Sequence, residues 1–291
     1  MTNPKHGRQH SRCRKEFKLL PGYVLLIAWV AFTAFVLLWI VAASLATTAD
    51  IMQGKVWQNL FTGTLHFENY ANAWSSNNVS VYFTNSLLYS VIGCVGTLLI
   101  AAPAAYVLSR FRFFGNQSIR LSNVVAMSVP AVMIILPLFS LASGLELTNN
   151  CILYLVLVIC LRVPFSTIYL INFFQSLSRT YEEAASIDGC QAMRIFWKIM
   201  LPLVQPALIT VTVFNFLSIW NEYFIAMIFI SSDIKTGVGV GLMNIVNSMT
   251  YSGDYGGLFA AVIIVFLPTF ILYLFLSDKI INGVTAGGVK G

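Results

Sequence analysis

The sequence predicts an all-α integral membrane protein with six transmembrane helices and a cytoplasmic amino terminus. Three observations carry that reading. Of 291 residues, 58% are hydrophobic and only 10% charged, with a mean hydropathy of +0.79, whereas soluble domains carry about 25% charged residues. The apolar residues fall in runs of the ~20 residues that a helix needs to cross the bilayer core. The basic residues between those runs alternate in density from one side to the other, which fixes a direction.

Residues 1–22 form a basic tail carrying Lys5, Arg8, Arg12, Arg14, Lys15 and Lys18, read as disordered. The first span covers about 23–46, too long for the ~7–15-residue core of a secretory signal. The polar stretch 47–84 exceeds an ordinary connection and is expected to contain short elements of its own. Span two covers 85–108. Span three covers 121–141 and contains Pro130 and Pro137, whose freed carbonyls require protein or a cavity rather than lipid. Span four is 151–174, span five 206–230 and span six 257–277, followed by a polar tail, 278–291. Residues 231–256 read as an outer loop, with GVGVG at 237–241 taken as loop chemistry because its spacing fits neither a dinucleotide fingerprint nor a P-loop.

With the amino terminus inside, the inner segments hold the six tail cations together with Arg110, Arg112, Arg120, Arg179, Arg194, Lys198, Lys279 and Lys290. The outer loops hold only Lys55 and Lys235, and Arg162 lies within span four. The formal charge of +6 is therefore topological. A nucleic-acid partner would require a basic face on a soluble module, and none is present. Cys13, Cys94, Cys151, Cys160 and Cys190 have no paired spacing, so neither a disulfide framework nor a metal site is indicated. His6, His10 and His66 all fall outside the spans, which argues against a membrane-embedded enzyme.

The cytoplasmic loop 175–202 is the most informative segment. Thr180 and Glu183 have capping-box spacing, and Gly189 ends a helix of about two turns. Asp188 stands three before Gln191 and is read as the N-cap of a second helix or as a contact. Met193, Phe196, Trp197 and Met200 then recur at helical spacing as a packing stripe, with Arg194 and Lys198 off it, and Pro202 closes the segment. Two intramembrane charges, Arg162 and Glu222, are costly in lipid and generally face protein or water. Their depths allow direct pairing only with tilt. Glu222 with Asn215, Trp220 and Asn221 either lines a solute cavity or bonds helix to helix.

Glu183-Ala184-Ala185, Gly189, Ile199 and Leu201-Pro202 resemble the EAA loop of ABC importer permeases. FENY at 67–70, YFTNS at 82–86, AAYVLSRFRFFG at 104–115 and WNEYF at 220–224 are similar to the carbohydrate branch, specifically the second permease of maltose-type importers, as is the ending VTAGGVKG at 284–291. Ser178-Arg179-Thr180 departs from the usual proline-containing approach to that loop. The resemblance implies the type I importer permease fold, ATP-driven sugar or oligosaccharide uptake, and coupling through Glu182, Glu183, Ala184, Ala185, Asp188, Gly189, Arg194 and Pro202. It also implies a second permease subunit, two ATPase subunits that bind ATP with Mg, and an extracytoplasmic solute-binding protein. The chain has no GxxxxGK[ST] motif and is expected to bind no cofactor or metal and to catalyse nothing. Alternatives are uptake of a non-sugar solute, or a secondary transporter using Arg162 and Glu222 as a charge relay.

Overall fold

The computed structural model describes residues 6–63 and 65–288, and every regular element among them is helical. Helix α1 (His6–Ser44) is continuous, so the tail read as disordered is helical from His6. Its Arg, Gln, Lys and Glu residues are good helix formers that extend an already nucleated span. Residues Leu19–Ser44 form its membrane segment, almost wholly exposed except where Ala42 and Ala43 pack against Val56.

The stretch 47–84 carries α2 (Thr48–Met52), α3 (Val56–Thr62) and α4 (Glu68–Ser75), as its length required. Asn69 Nδ2 donates to Ser44 O and Ala46 O, 3.0 Å each, and Tyr70 hydroxyl meets Ser44 Oγ at 2.7 Å. Residues of the FENY segment thus satisfy carbonyls that the end of α1 leaves open.

Helix α5 (Val79–Arg110) is the hub of the bundle, packed along α8 (Cys151–Ser176) and against α12 (Gln205–Trp220). Gly93 and Gly96 allow that approach: a Cβ there would lie 2.6 Å from Ile219 Cδ1 and from Ile159 Cδ1, respectively. In chain order α6 (Asn116–Ser128) and α7 (Ala131–Gly144) follow α5 and precede α8. They meet at 95°, so the single span expected over 121–141 is a bent pair. Val129 is extended at φ −81°, ψ 120°, the conformation that a following proline imposes, and Pro130 begins the new direction.

The loop 175–202, expected to be cytoplasmic, folds as α9 (Thr180–Ile187) and α10 (Ala192–Ile195), followed by a π-helical turn (Phe196–Met200) and α11 (Leu201–Leu203). Ala192–Leu203 and α12 meet at 75°. The fifth span also ends early. The chain breaks at residues 221–223 and resumes as α13 (Phe224–Phe229).

The outer stretch 231–256 contains a 3₁₀ turn (Asp233–Lys235) and α14 (Val238–Ser252), which corrects the loop reading of GVGVG. Its glycines serve packing. A Cβ at Gly239 would lie 2.8 Å from Glu222 O, one at Gly237 2.6 Å from Ser86 Oγ, and one at Gly241 would overlap the Tyr82 ring. Asn85 Nδ2 donates to Ile234 O and Thr236 O, both at 2.9 Å, and Val238 N donates to Ser86 Oγ at 2.8 Å. The YFTNS segment therefore seats and caps α14. Helix α15 (Tyr255–Gly288) is the last span; the ending expected to reach a partner, 284–291, lies outside the described side chains and, beyond 288, outside the described residues. Among the described residues, four helices are long and apolar enough to cross a membrane, or up to six if each bent pair is one span.

Candidate functional site: a cytoplasmic helix and a membrane ion pair

Helix α9 is held from both ends. At its start Arg179 is the N-cap with no side-chain cap, Thr180 is already helical, and Ser178 Oγ accepts from Thr180 N at 3.3 Å. The capping box expected between Thr180 and Glu183 does not form, because Ser178 takes the outer position and Glu183 is left exposed. At its end Gly189 has φ +76°, Gly189 N donates to Ser186 O at 3.1 Å, and Cys190 N donates to Ala185 O at 2.9 Å. This is a Schellman motif, in which a left-handed residue lets two orphan carbonyls be satisfied. Space around Gly189 is open, so its requirement is conformational and not steric.

The side chains of α9 divide sharply. Ala185 packs into a core of Tyr106, Phe174, Ile195, Phe196 and Met200, joining α9 to α5, α8 and the π turn. Glu182 lies 3.3 Å from Arg110 Nε, with side chains only 17% and 6% exposed, and Arg110 Nη2 donates to Leu177 O at 2.9 Å. Glu182 therefore serves as an internal clamp to the end of α5. Glu183, Ala184, Asp188 and Gly189 remain exposed, as do Arg194 and Pro202. Asp188 is the C-cap of α9, whereas Gln191 precedes α10, which corrects the reading of Asp188 as an N-cap.

The expected packing stripe also divides. Phe196 and Met200 are buried, whereas Met193 is 68% and Trp197 48% exposed. The wide turn, closed by Leu201 N donating to Phe196 O, carries one extra residue and rotates Met200 onto the face of Ile195 and Phe196. Sequence reasoning missed Tyr181 and Ile187, apolar residues 50% and 87% exposed on this helix. Their signal was available: Ile187 is the last residue of α9, two before the glycine stop, on a helix too short to bury both faces.

In the membrane, Arg162 and Glu222 do meet. Arg162 Nη2 lies 3.3 Å from Glu222 Oε2 and 3.0 Å from both Ser218 O and Ser218 Oγ, and Arg162 Nη1 donates to Val158 O at 3.2 Å. Glu222 Oε1 accepts from Ile225 N at 2.9 Å, capping α13. The carboxylate reaches Arg162 at the break after Trp220, one turn beyond Ser218, which the same guanidinium nitrogen also contacts. The pair thus staples α8 to both sides of the break and satisfies backbone groups that lipid could not. Asn215 Nδ2 donates to Ser166 Oγ at 3.0 Å and Trp220 Nε1 to Val265 O at 3.1 Å, and both residues are buried. Of the four residues considered for a solute path, only Asn221 is exposed.

Residues 96–280 match the family model described as the binding-protein-dependent transport system inner membrane component. The chain belongs to this family. This permease is a multi-pass inner-membrane subunit of a non-catalytic family, and a binding-protein-dependent ABC system implies an ATPase and a binding protein as partners. Membership sets aside the ion-gradient reading of the Arg162–Glu222 pair. The permease is 32% identical to a diacetylchitobiose uptake system permease of Streptomyces coelicolor, over 91% of its own length and 87% of that protein. It is 28% identical to an arabinooligosaccharide transport system permease of Halalkalibacterium halodurans, over 91% and 94%. Among solved structures it resembles a chain of a bacterial ABC transporter involved in the import of the acidic polysaccharide alginate, with a TM-score of 0.76, 26% identity, and coverage of 92% and 97%.

Proposed function

We propose that this permease serves the ATP-driven uptake of a sugar or oligosaccharide, forming half of the translocation pathway beside a second, related permease. Two ATPase subunits, which bind ATP with Mg, supply the work, and an extracytoplasmic binding protein delivers the solute. The sugar class is supported by relatives that carry diacetylchitobiose and arabinooligosaccharides. Helix α9 receives the work of the ATPase: Ile187, Glu183 and Asp188 meet it, while Ala185 and the Arg110–Glu182 clamp pass its displacement to α5 and α8. In the membrane, Asn221 faces the solute path, and Asn215, Trp220 and Glu222 hold the broken helix that presents it.

The observation that carries this reading is Ile187, 87% exposed on a helix whose opposite side is clamped to the bundle. In this reading the ATPase covers Ile187, and a central apolar anchor in an interface is worth about 2 kcal/mol or more. Ile187→Asp is therefore expected to weaken copurification of the ATPase roughly tenfold or more while leaving membrane insertion unchanged. Wild-type copurification would refute α9 as the docking element.

A further inference from the structure

A cleft of about 750 Å³ opens where α5 ends, bounded by α6 and the end of α8. It takes in Arg110, Arg112, Arg120 and Arg179, with no carboxylate among its lining residues. Arg110 is neutralised by Glu182. The other three have no anionic partner among the described residues. Three such cations on one concave surface repel one another and focus a positive field on whatever occupies it.

The walls are fixed. Asn116 Nδ2 donates to Leu108 O at 3.1 Å and to Phe111 O at 2.9 Å, tying the start of α6 to the end of α5. Arg110 ties the opposite wall through Leu177 O. Helix α6 begins at left-handed Gly115 with no capping side chain and no acidic residue in its first turn, so its amide end adds a partial positive charge. One side of the cleft is apolar, with Leu121, Val124 and Ile168 in its lining, and Leu121 and Val124 are 61% and 47% exposed. Phe114, next to the rim, is fully exposed. An exposed aromatic beside arginines at the inner end of spanning helices matches the composition of a headgroup layer.

We infer that this cleft binds the headgroup of an anionic inner-leaflet phospholipid, with its phosphate on Arg112, Arg120 and Arg179 and its acyl chains along the apolar face of α6. A free phosphate would use the same cations but has no use for Leu121, Val124 and Phe114. The inference rests on the charge-derived orientation and is independent of the solute and of the role of α9.

The test is native mass spectrometry of the complete transporter released from membranes, titrated with phosphatidylglycerol or phosphatidylcholine of matched chains. The wild type is expected to retain phosphatidylglycerol selectively. An Arg112→Gln, Arg120→Gln double variant should hold it about tenfold or more weakly, and the Lys counterparts should restore much of it. Equal retention by wild type and Gln variant overturns the inference. Displacement by glycerol phosphate at matched concentration would make the ligand a soluble anion and overturn the lipid assignment. Loss of ATPase subunits from the Gln variant with lipid retention unchanged would make the cleft a protein interface and overturn it as well.

Discussion

At the scale of single residues, the buried charges have the sharpest consequences. Arg162 and Glu222 are each nearly enclosed, with side chains 10% and 14% exposed, so removing one leaves the other without its counter-ion. Loss of one partner of a buried pair costs about 3–5 kcal/mol, whereas replacing both with well-packed apolar residues is often neutral. Arg162→Met is therefore expected to lower the thermal stability of the purified complex strongly, and Arg162→Met combined with Glu222→Gln, which keeps an acceptor for Ile225 N, to recover part of the loss. Equal destabilisation in the single and double variants would mean that the two residues act separately. Gly241 gives a second residue-scale prediction. A methyl there meets the Tyr82 ring, so Gly241→Ala should destabilise the seating of α14, measured as faster proteolysis of residues 231–256, and Tyr82→Ala in the same chain should relieve it.

At the scale of elements, much was legible in the sequence and the failures share a cause. The apolar runs and basic flanks mark where spans lie because lipid leaves the backbone few options. Gly189 was readable as a helix stop because a left-handed Schellman position has few occupants. What escaped were the breaks and the close approaches. Pro130 signalled trouble but not a 95° turn, whose angle depends on what α6 and α7 pack against. Residues Asn221 to Tyr223 carry no helix breaker, so the stop was not legible; at the break Glu222 bonds Arg162 and Ile225 N. GVGVG looked like a loop because glycine lowers helix propensity. Its helical role appears only once Ser86, Tyr82 and Glu222 O are seen against it. The Thr180–Glu183 pattern failed for a local reason, since Ser178, two residues earlier, was an equally competent oxygen.

At the scale of the whole molecule, α5 runs from the outer segment that seats α14 to the arginine that clamps α9. Outer-end contacts (Asn85, Ser86, Tyr89) and inner-end contacts (Tyr106, Arg110) thus lie on one continuous helix. A displacement of α9 can reach the outer side through that helix without a chain of small rearrangements, which is the physical content of coupling between two sites. The central claim is that α9 transmits ATPase motion and that its end geometry depends on Gly189. The most direct measurement is solute taken up per ATP hydrolysed in proteoliposomes containing the full complex. Gly189→Val, a β-branched residue at φ +76°, is expected to lower that ratio severalfold or more, while Gly189→Asn, which tolerates left-handed φ, should stay near wild type. A wild-type ratio in Gly189→Val would contradict the account.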